Sequence, residues 1–146
     1  MINNNQIANK QNLPQKEISI ILDDSIKKLP KSFMSDKKLV DRLFSNLIGN
    51  AIKFTDKWTV TIKSEIKWNF IRFYIIDTGV GIPQKDFDKI FLEFQSSSTD
   101  YAPIISWSGL GLSIVSKILD KLGWVMLPVK SEVGKWSTFS FELPLY

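Results

Sequence analysis

Residues 35–55 read SDKKLVDRLFSNLIGNAIKFT, and residues 77–82 read DTGVGI. The first stretch repeats apolar side chains at helical spacing: Leu39, Val40, Leu43, Phe44, Leu47, Ile48, Ala51 and Phe54. Ser35 or Asp36 is placed to cap its start, and the spacing predicts a helix to about Thr55. Asn46, Asn50 and Lys53 stand at i, i+4 and i+7, within about 60° of one another at roughly 100° per residue. Asn50 falls between Leu39 and Leu43, inside the apolar arc, with Asn46 at its edge. A buried amide left without a partner costs about 1–3 kcal/mol. Helix geometry alone leaves open a solvent-facing stripe or an amide bonded to a neighbouring loop.

Outward from this helix the period changes. Residues 59–67 alternate, with Val60, Ile62 and Ile66 on one side and Thr59, Thr61, Lys63, Glu65 and Lys67 on the other. That predicts a half-buried strand, hairpin-paired through Trp68-Asn69 to a second strand over 70–77. Strand parity puts Asp77 on the face of Ile71, Phe73 and Ile75, where a carboxylate is costly without a donor. Gly79 and Gly81 allow positive φ or close backbone passage next to it, as a ligand requires and as an ordinary Asx-type turn also requires. Pro83 suits the first position of a short helix to about Phe91. Residues 95–108 lack any period and read as a mobile loop. Residues 110–122 form a helix with Ile114, Val115, Ile118, Leu119 and Leu122 inward, stopped by Gly123. Ser108-Gly109-Leu110-Gly111-Leu112-Ser113 opens that helix, and unpaired amides there suit a phosphate. It is not a P-loop, because no GxxxxGK[ST] occurs. Strands at 17–22, 124–130 and 137–143 complete the pattern.

Composition narrows the chemistry. The chain has 146 residues, 44% of them hydrophobic and 23% charged, which suits one globular domain. Residues 1–16, rich in Asn and Gln, read as a tail or linker, leaving 17–146 as the domain. Cys and His are both absent, which excludes disulfides, thiolate catalysis, a Ser-His-Asp triad and His-ligated metals. The charge of +4 comes from scattered Lys and Arg, so no nucleic-acid partner is expected. No apolar run is long enough to span a membrane, no signal peptide is evident, and a cytoplasmic location without direct membrane contact is expected.

Taken together, the Asn-x-x-x-Asn helix, the Asp-x-Gly-x-Gly turn, the aromatic run DFDKIFLEF and the Gly-x-Gly helix start form one ordered set. It resembles the ATP-binding catalytic domain of sensor histidine kinases, in the superfamily shared with gyrase B, Hsp90 and MutL. Residues 46–55 resemble that family's asparagine box, and 77–82 its first glycine box. Phe87, Phe91 and Phe94 resemble its phenylalanine box, residues 109–112 its second glycine box, and 134–139 its terminal glycine-threonine segment. The resemblance implies an α/β (α+β) two-layer sandwich of Bergerat type, a mixed sheet with helices on one face. It implies that Asp77 accepts a hydrogen bond from the adenine amine. Asn50, helped by Asn46, would hold Mg²⁺, and Lys53 would offset phosphate charge. Gly79, Gly81, Ile82, Phe94, Ser108, Gly109, Leu110, Gly111, Leu112 and Thr138 would line the ATP site, with 95–108 as its lid. Gyrase-like members place a Glu where Asn46 stands. An amide takes no proton, so transfer to a separate nucleophile is implied over hydrolysis.

The implied function is transfer of the γ-phosphoryl group of Mg-ATP to a His on a separate dimerisation domain, ahead of a response regulator. The alternatives are a stand-alone anti-sigma-factor-type serine kinase of the same fold, or a degenerate module that binds nucleotide without catalysis. The chain departs from the family in one further way. All five Trp (Trp58, Trp68, Trp107, Trp124 and Trp136) stand where the family commonly has Gly. This suggests a codon read as Gly in the source organism and written as Trp here; five ordinary tryptophan codons in the gene would exclude it.

Overall fold

The computed structural model describes residues 17–32, 34–53, 59–91 and 110–145. The described elements run β1 (Ser19–Leu22), α1 (Lys37–Lys53), β2 (Thr59–Lys67), β3 (Phe70–Asp77), α2 (Leu110–Leu122), β4 (Val125–Met126), β5 (Lys130–Glu132) and β6 (Trp136–Pro144). The sheet order is β1-β2-β3-β6-β4, with β5 added to β6. Among the described strands only β1 and β2 run parallel; the other pairs are antiparallel. The sheet is therefore mixed, as expected.

Period-2 burial decides which face is covered. Val60 of β2, Ile71, Phe73 and Ile75 of β3, and Phe139, Phe141 and Leu143 of β6 are buried and share one core with both helices, and Ile62 of β2 is buried as well. Into that layer α1 sends Leu43, Leu47 and Ala51, and α2 sends Leu112, Val115, Ile118 and Leu119. Fully burying each large aliphatic side chain contributes about 1.5–3 kcal/mol. At the centre Phe73 stacks on Phe141 with ring centroids 5.3 Å apart, and Phe44 meets Phe73 edge-on, also at 5.3 Å.

The ends of the helices follow from named residues. Asp36 accepts a hydrogen bond from the Leu39 N–H at 3.1 Å, so Asp36 rather than Ser35 caps α1. Gly123, at φ 72, closes α2: its N–H donates to the Asp120 carbonyl and the Trp124 N–H to the Leu119 carbonyl, a Schellman pair. Trp124 is itself buried and lies nearly parallel to Phe141, with an interplanar angle of 7°.

Several boundaries differ from the sequence reading. The strand expected over 124–130 is two strands, because Pro128 lacks the N–H a continuous ladder needs. The helix expected after Pro83 is a 3-10 turn, Gln84–Asp86, followed by further turns. So short a segment gains too few hydrogen bonds to offset helix nucleation. Pro83 precedes that turn, with extended backbone, rather than opening it. Residues 1–16, the end of the helix at 54–55 and the 95–108 segment lie outside the described residues. The hairpin turn falls at Trp68-Asn69, as expected, and Trp68 takes φ 53 with its side chain 94% exposed. Among the described residues it is the one non-glycine with positive φ.

Candidate functional site

The site grows from the end of β3. Asp77 completes the inward row of Ile71, Phe73 and Ile75 and is 2% exposed. Its carboxylate accepts one hydrogen bond, from the Gly79 N–H at 3.0 Å. Burial raises its pKa from 3.8 to about 6, against the smaller, opposing effect of that bond. A carboxylate kept in this position needs a further donor, and a ligand can supply one.

The turn after Asp77 is fixed on both sides. Thr78 binds β2 three times: its N–H donates to the Thr59 carbonyl, its hydroxyl donates to the same carbonyl at 3.4 Å, and that hydroxyl accepts from the Thr59 N–H at 3.0 Å. Gly81, at φ 71, passes so close to β5 that a Cβ would sit 2.3 Å from the Glu132 carbonyl oxygen. Glycine is required there on both counts. The Gly134 N–H donates to the Val80 carbonyl at 2.7 Å, and the Ile82 N–H donates to Ser131 Oγ at 2.7 Å. The turn is thus held against the β5–β6 hairpin, with Ile82 buried.

Asn50 faces the same layer from α1. It is 3% exposed, and both its side-chain oxygen and nitrogen lack a hydrogen-bond partner. Of the two readings left open by helix geometry, neither a solvent stripe nor a satisfied amide describes it. Asn46, one turn earlier, donates through Nδ2 to the Arg42 carbonyl at 2.8 Å and keeps its Oδ1 available. Lys53 ends α1, and its side chain lies outside the described residues. Five residues after α1 the chain starts β2, whose Val60 pairs with Asp77, so the C-terminal ends of α1 and β3 lie at one end of the molecule. By contrast, α2 ends next to β4, which pairs with the far end of β6 at Phe141 and Glu142. At 13 residues, or roughly 20 Å, α2 points its N-terminus back toward the Asp77 end. Leu110 and Gly111 form its first turn, whose amides have no partner within the helix, and Leu112 is buried. Phe94, Ser108 and Gly109 lie outside the described residues.

One expected site residue is displaced. In the β3–β6 register Ser137 stands opposite Asp77, while Thr138 stands opposite Ile76. Successive strand residues face opposite sides, so Thr138 belongs to the other face and does not join Asp77. Trp136 shares the parity of Thr138. Ser137 is 3% exposed and was missed by the sequence reading, although its alternation with Phe139 and Phe141 signals the inward face. Ser131, on β5, was missed too; an isolated Ser in KSEVGK carries no periodic signal.

The family model described as "Histidine kinase-, DNA gyrase B-, and HSP90-like ATPase" matches residues 35–146. The chain belongs to this family. It is 33% identical over 118 residues to the sensor histidine kinase RcsC of Salmonella typhimurium, covering 81% of this chain and 12% of that protein. It is 30% identical over 129 residues to the circadian input-output histidine kinase CikA of Synechococcus elongatus, covering 88% and 17%. To the aerobic respiration control sensor protein ArcB of Escherichia coli it is 32% identical over 117 residues, covering 79% and 15%. The chain therefore spans a small part of the length of these relatives. Among solved structures, full-length ShkA in complex with AMPPNP superposes with a TM-score of 0.71 at 27% identity, over 96% of this chain and 28% of that one. The mycobacterial sensor histidine kinase MprB shares the fold, with a TM-score of 0.68 at 21% identity, over 96% and 87%. This ATPase-family domain is the α+β sandwich expected from the sequence. No described helix is long and apolar enough to cross a membrane.

Proposed function

We propose that this chain is the catalytic domain of a sensor histidine kinase, which binds Mg-ATP between α1, the 77–82 turn and the start of α2. The observation that carries this reading is Asp77: a buried carboxylate with one backbone donor, on a turn pinned from both sides. The adenine amino group is the donor it lacks. In this reading Gly79, Gly81 and Ile82 frame the base. The first amides of α2, at Leu110 and Gly111, meet the phosphates, with Gly109 and Ser108 before them, and Lys53 neutralises charge.

The orphaned Asn50 amide fits Mg²⁺. Its oxygen is a hard ligand for a small divalent cation, and Asn46 Oδ1 is available one turn away. Among the described residues no cluster of three acidic groups forms a dedicated metal cage. That suits an ion held mainly by substrate phosphates and water. When bound, Mg²⁺ supplies charge neutralisation at the transferring phosphoryl group.

The remaining chemistry is positioning. A His nitrogen attacks the γ-phosphorus, the bond from that phosphorus to the β-bridging oxygen breaks, and ADP leaves. This chain has no His, so the nucleophile comes from a separate dimerisation domain. Asn46 accepts no proton, which leaves water without a base at this position and favours transfer over hydrolysis. A downstream response regulator is the expected phosphate acceptor from that His. The test is incubation with γ-labelled ATP and a His-bearing dimerisation domain. Acid-labile label on the dimerisation domain supports the reading. Bound ATP that labels no His-bearing partner favours the non-catalytic alternative.

A further inference from the structure

Ser131 joins three parts of the proposed base site. It receives the Ile82 N–H at 2.7 Å, donates to the Trp136 carbonyl at 2.7 Å, and lies 2.8 Å from Ser137 Oγ. A hydroxyl has one proton and two lone pairs. With its proton committed to the Trp136 carbonyl, Ser131 can only accept from the other two groups. The Ser137 hydroxyl must therefore be the donor in the serine pair. Its own lone pairs then remain free to accept, on the strand position opposite Asp77.

We propose that Ser131 is a positioning residue for nucleotide base selection. It holds the Gly81–Ile82 turn in place and draws the Ser137 proton away from the pocket, so that Ser137 and Asp77 present acceptors side by side. Two neighbouring acceptors match a base edge that donates, the exocyclic amino group of an aminopurine. They oppose a base that carries a carbonyl at that position. The burial of both Ser137 and Ile82 removes the water that would otherwise blur this distinction.

The inference rests on the reading of the Asp77 pocket as the base site. The test uses ATP and inosine triphosphate, which differ in the group that Asp77 would meet. Dissociation constants for both are measured by titration calorimetry on the wild type, Ser131→Ala, Ser131→Thr, Ser137→Ala and the double alanine variant. Circular dichroism selects a temperature at which each is folded. Ser131→Ala is expected to lose about tenfold of the preference for ATP, the worth of one oriented buried hydrogen bond. Ser131→Thr should keep the preference. The double variant should lose no more than the larger single loss. A merely structural Ser131 would weaken both nucleotides equally, and that result overturns the proposal. So does an unchanged ratio in Ser137→Ala, which needs no intact Ser131 variant to be decisive. A wild type that binds neither nucleotide overturns the base-site reading and this inference together. A wild type that prefers ATP, with variants that keep its ratio, overturns the inference alone.

Discussion

Asp77 carries a desolvation cost that a hydrogen-bond donor from a ligand would remove. Folding raises its pKa from 3.8 to about 6, so between those values the folded chain holds a proton that the unfolded chain has released. This group's contribution to ligand-free stability is therefore highest below about pH 4, falls through that window and is lowest above about pH 6. The difference is roughly 3 kcal/mol. Asp77→Asn should raise the urea midpoint of the ligand-free protein near pH 7 and change it little near pH 4; a lowered midpoint near pH 7 would contradict the assignment. Asn50 follows the same logic, because its amide is buried with neither atom satisfied. Asn50→Ala should abolish transfer to a His-bearing partner without lowering the thermal midpoint. A variant that transfers normally would take Asn50 out of the metal site. Trp68 is strained for a different reason. A two-residue turn with positive φ at its first central residue favours glycine there, and an L-residue in the left-handed region costs about 1–2 kcal/mol. Trp68→Gly is expected to stabilise the chain by about 1 kcal/mol in denaturant titration, and a loss of stability would remove the structural support for a recoded glycine.

The element that makes the site is the turn between β3 and the 3-10 segment, buttressed by the β5–β6 hairpin. Gly81→Ala would drive a Cβ into the Glu132 carbonyl and must push the hairpin away. A loss of about 1–3 kcal/mol in stability is expected, with weakened nucleotide binding, and an unperturbed variant would show that the contact is not needed. Much of this arrangement was legible beforehand. Parity alone set Asp77 on the inner face, the 3.6-residue period set Asn50 inside the apolar arc of α1, and Gly123 marked the end of α2. The buttress was not legible, because the Ile82–Ser131 bond joins positions far apart in sequence and depends on strand register. Thr138 was misplaced for the same reason. The serine next to it and the threonine are equally polar, and only the pairing of β6 with β3 reveals which of the two meets Asp77.

At the scale of the molecule, the fold gathers three sequence-distant pieces at one end of a mixed sheet. The core of Phe73, Phe141 and the inward rows of both helices fills the same inward face beyond that end. A buried carboxylate on β3 and an unsatisfied buried amide on α1 are the polar groups this layer encloses that the proposed ligand would meet. Such groups weaken an empty domain, and a ligand that satisfies them restores what they cost, which is the signature of a binding site rather than of a structural core. The 146 residues contain no histidine, so the proposed transfer requires a His-bearing partner segment. The central claim is that this end of the molecule binds Mg-ATP through Asp77. Its most direct test is calorimetric titration of ATP with Mg²⁺ into the wild type and Asp77→Asn. The account predicts saturable binding by the wild type, displaced by ADP, and roughly 10- to 150-fold weaker binding by the variant, the worth of one charge-assisted hydrogen bond. Absence of saturable binding by the folded wild type, or equal affinity in the two proteins, would contradict it.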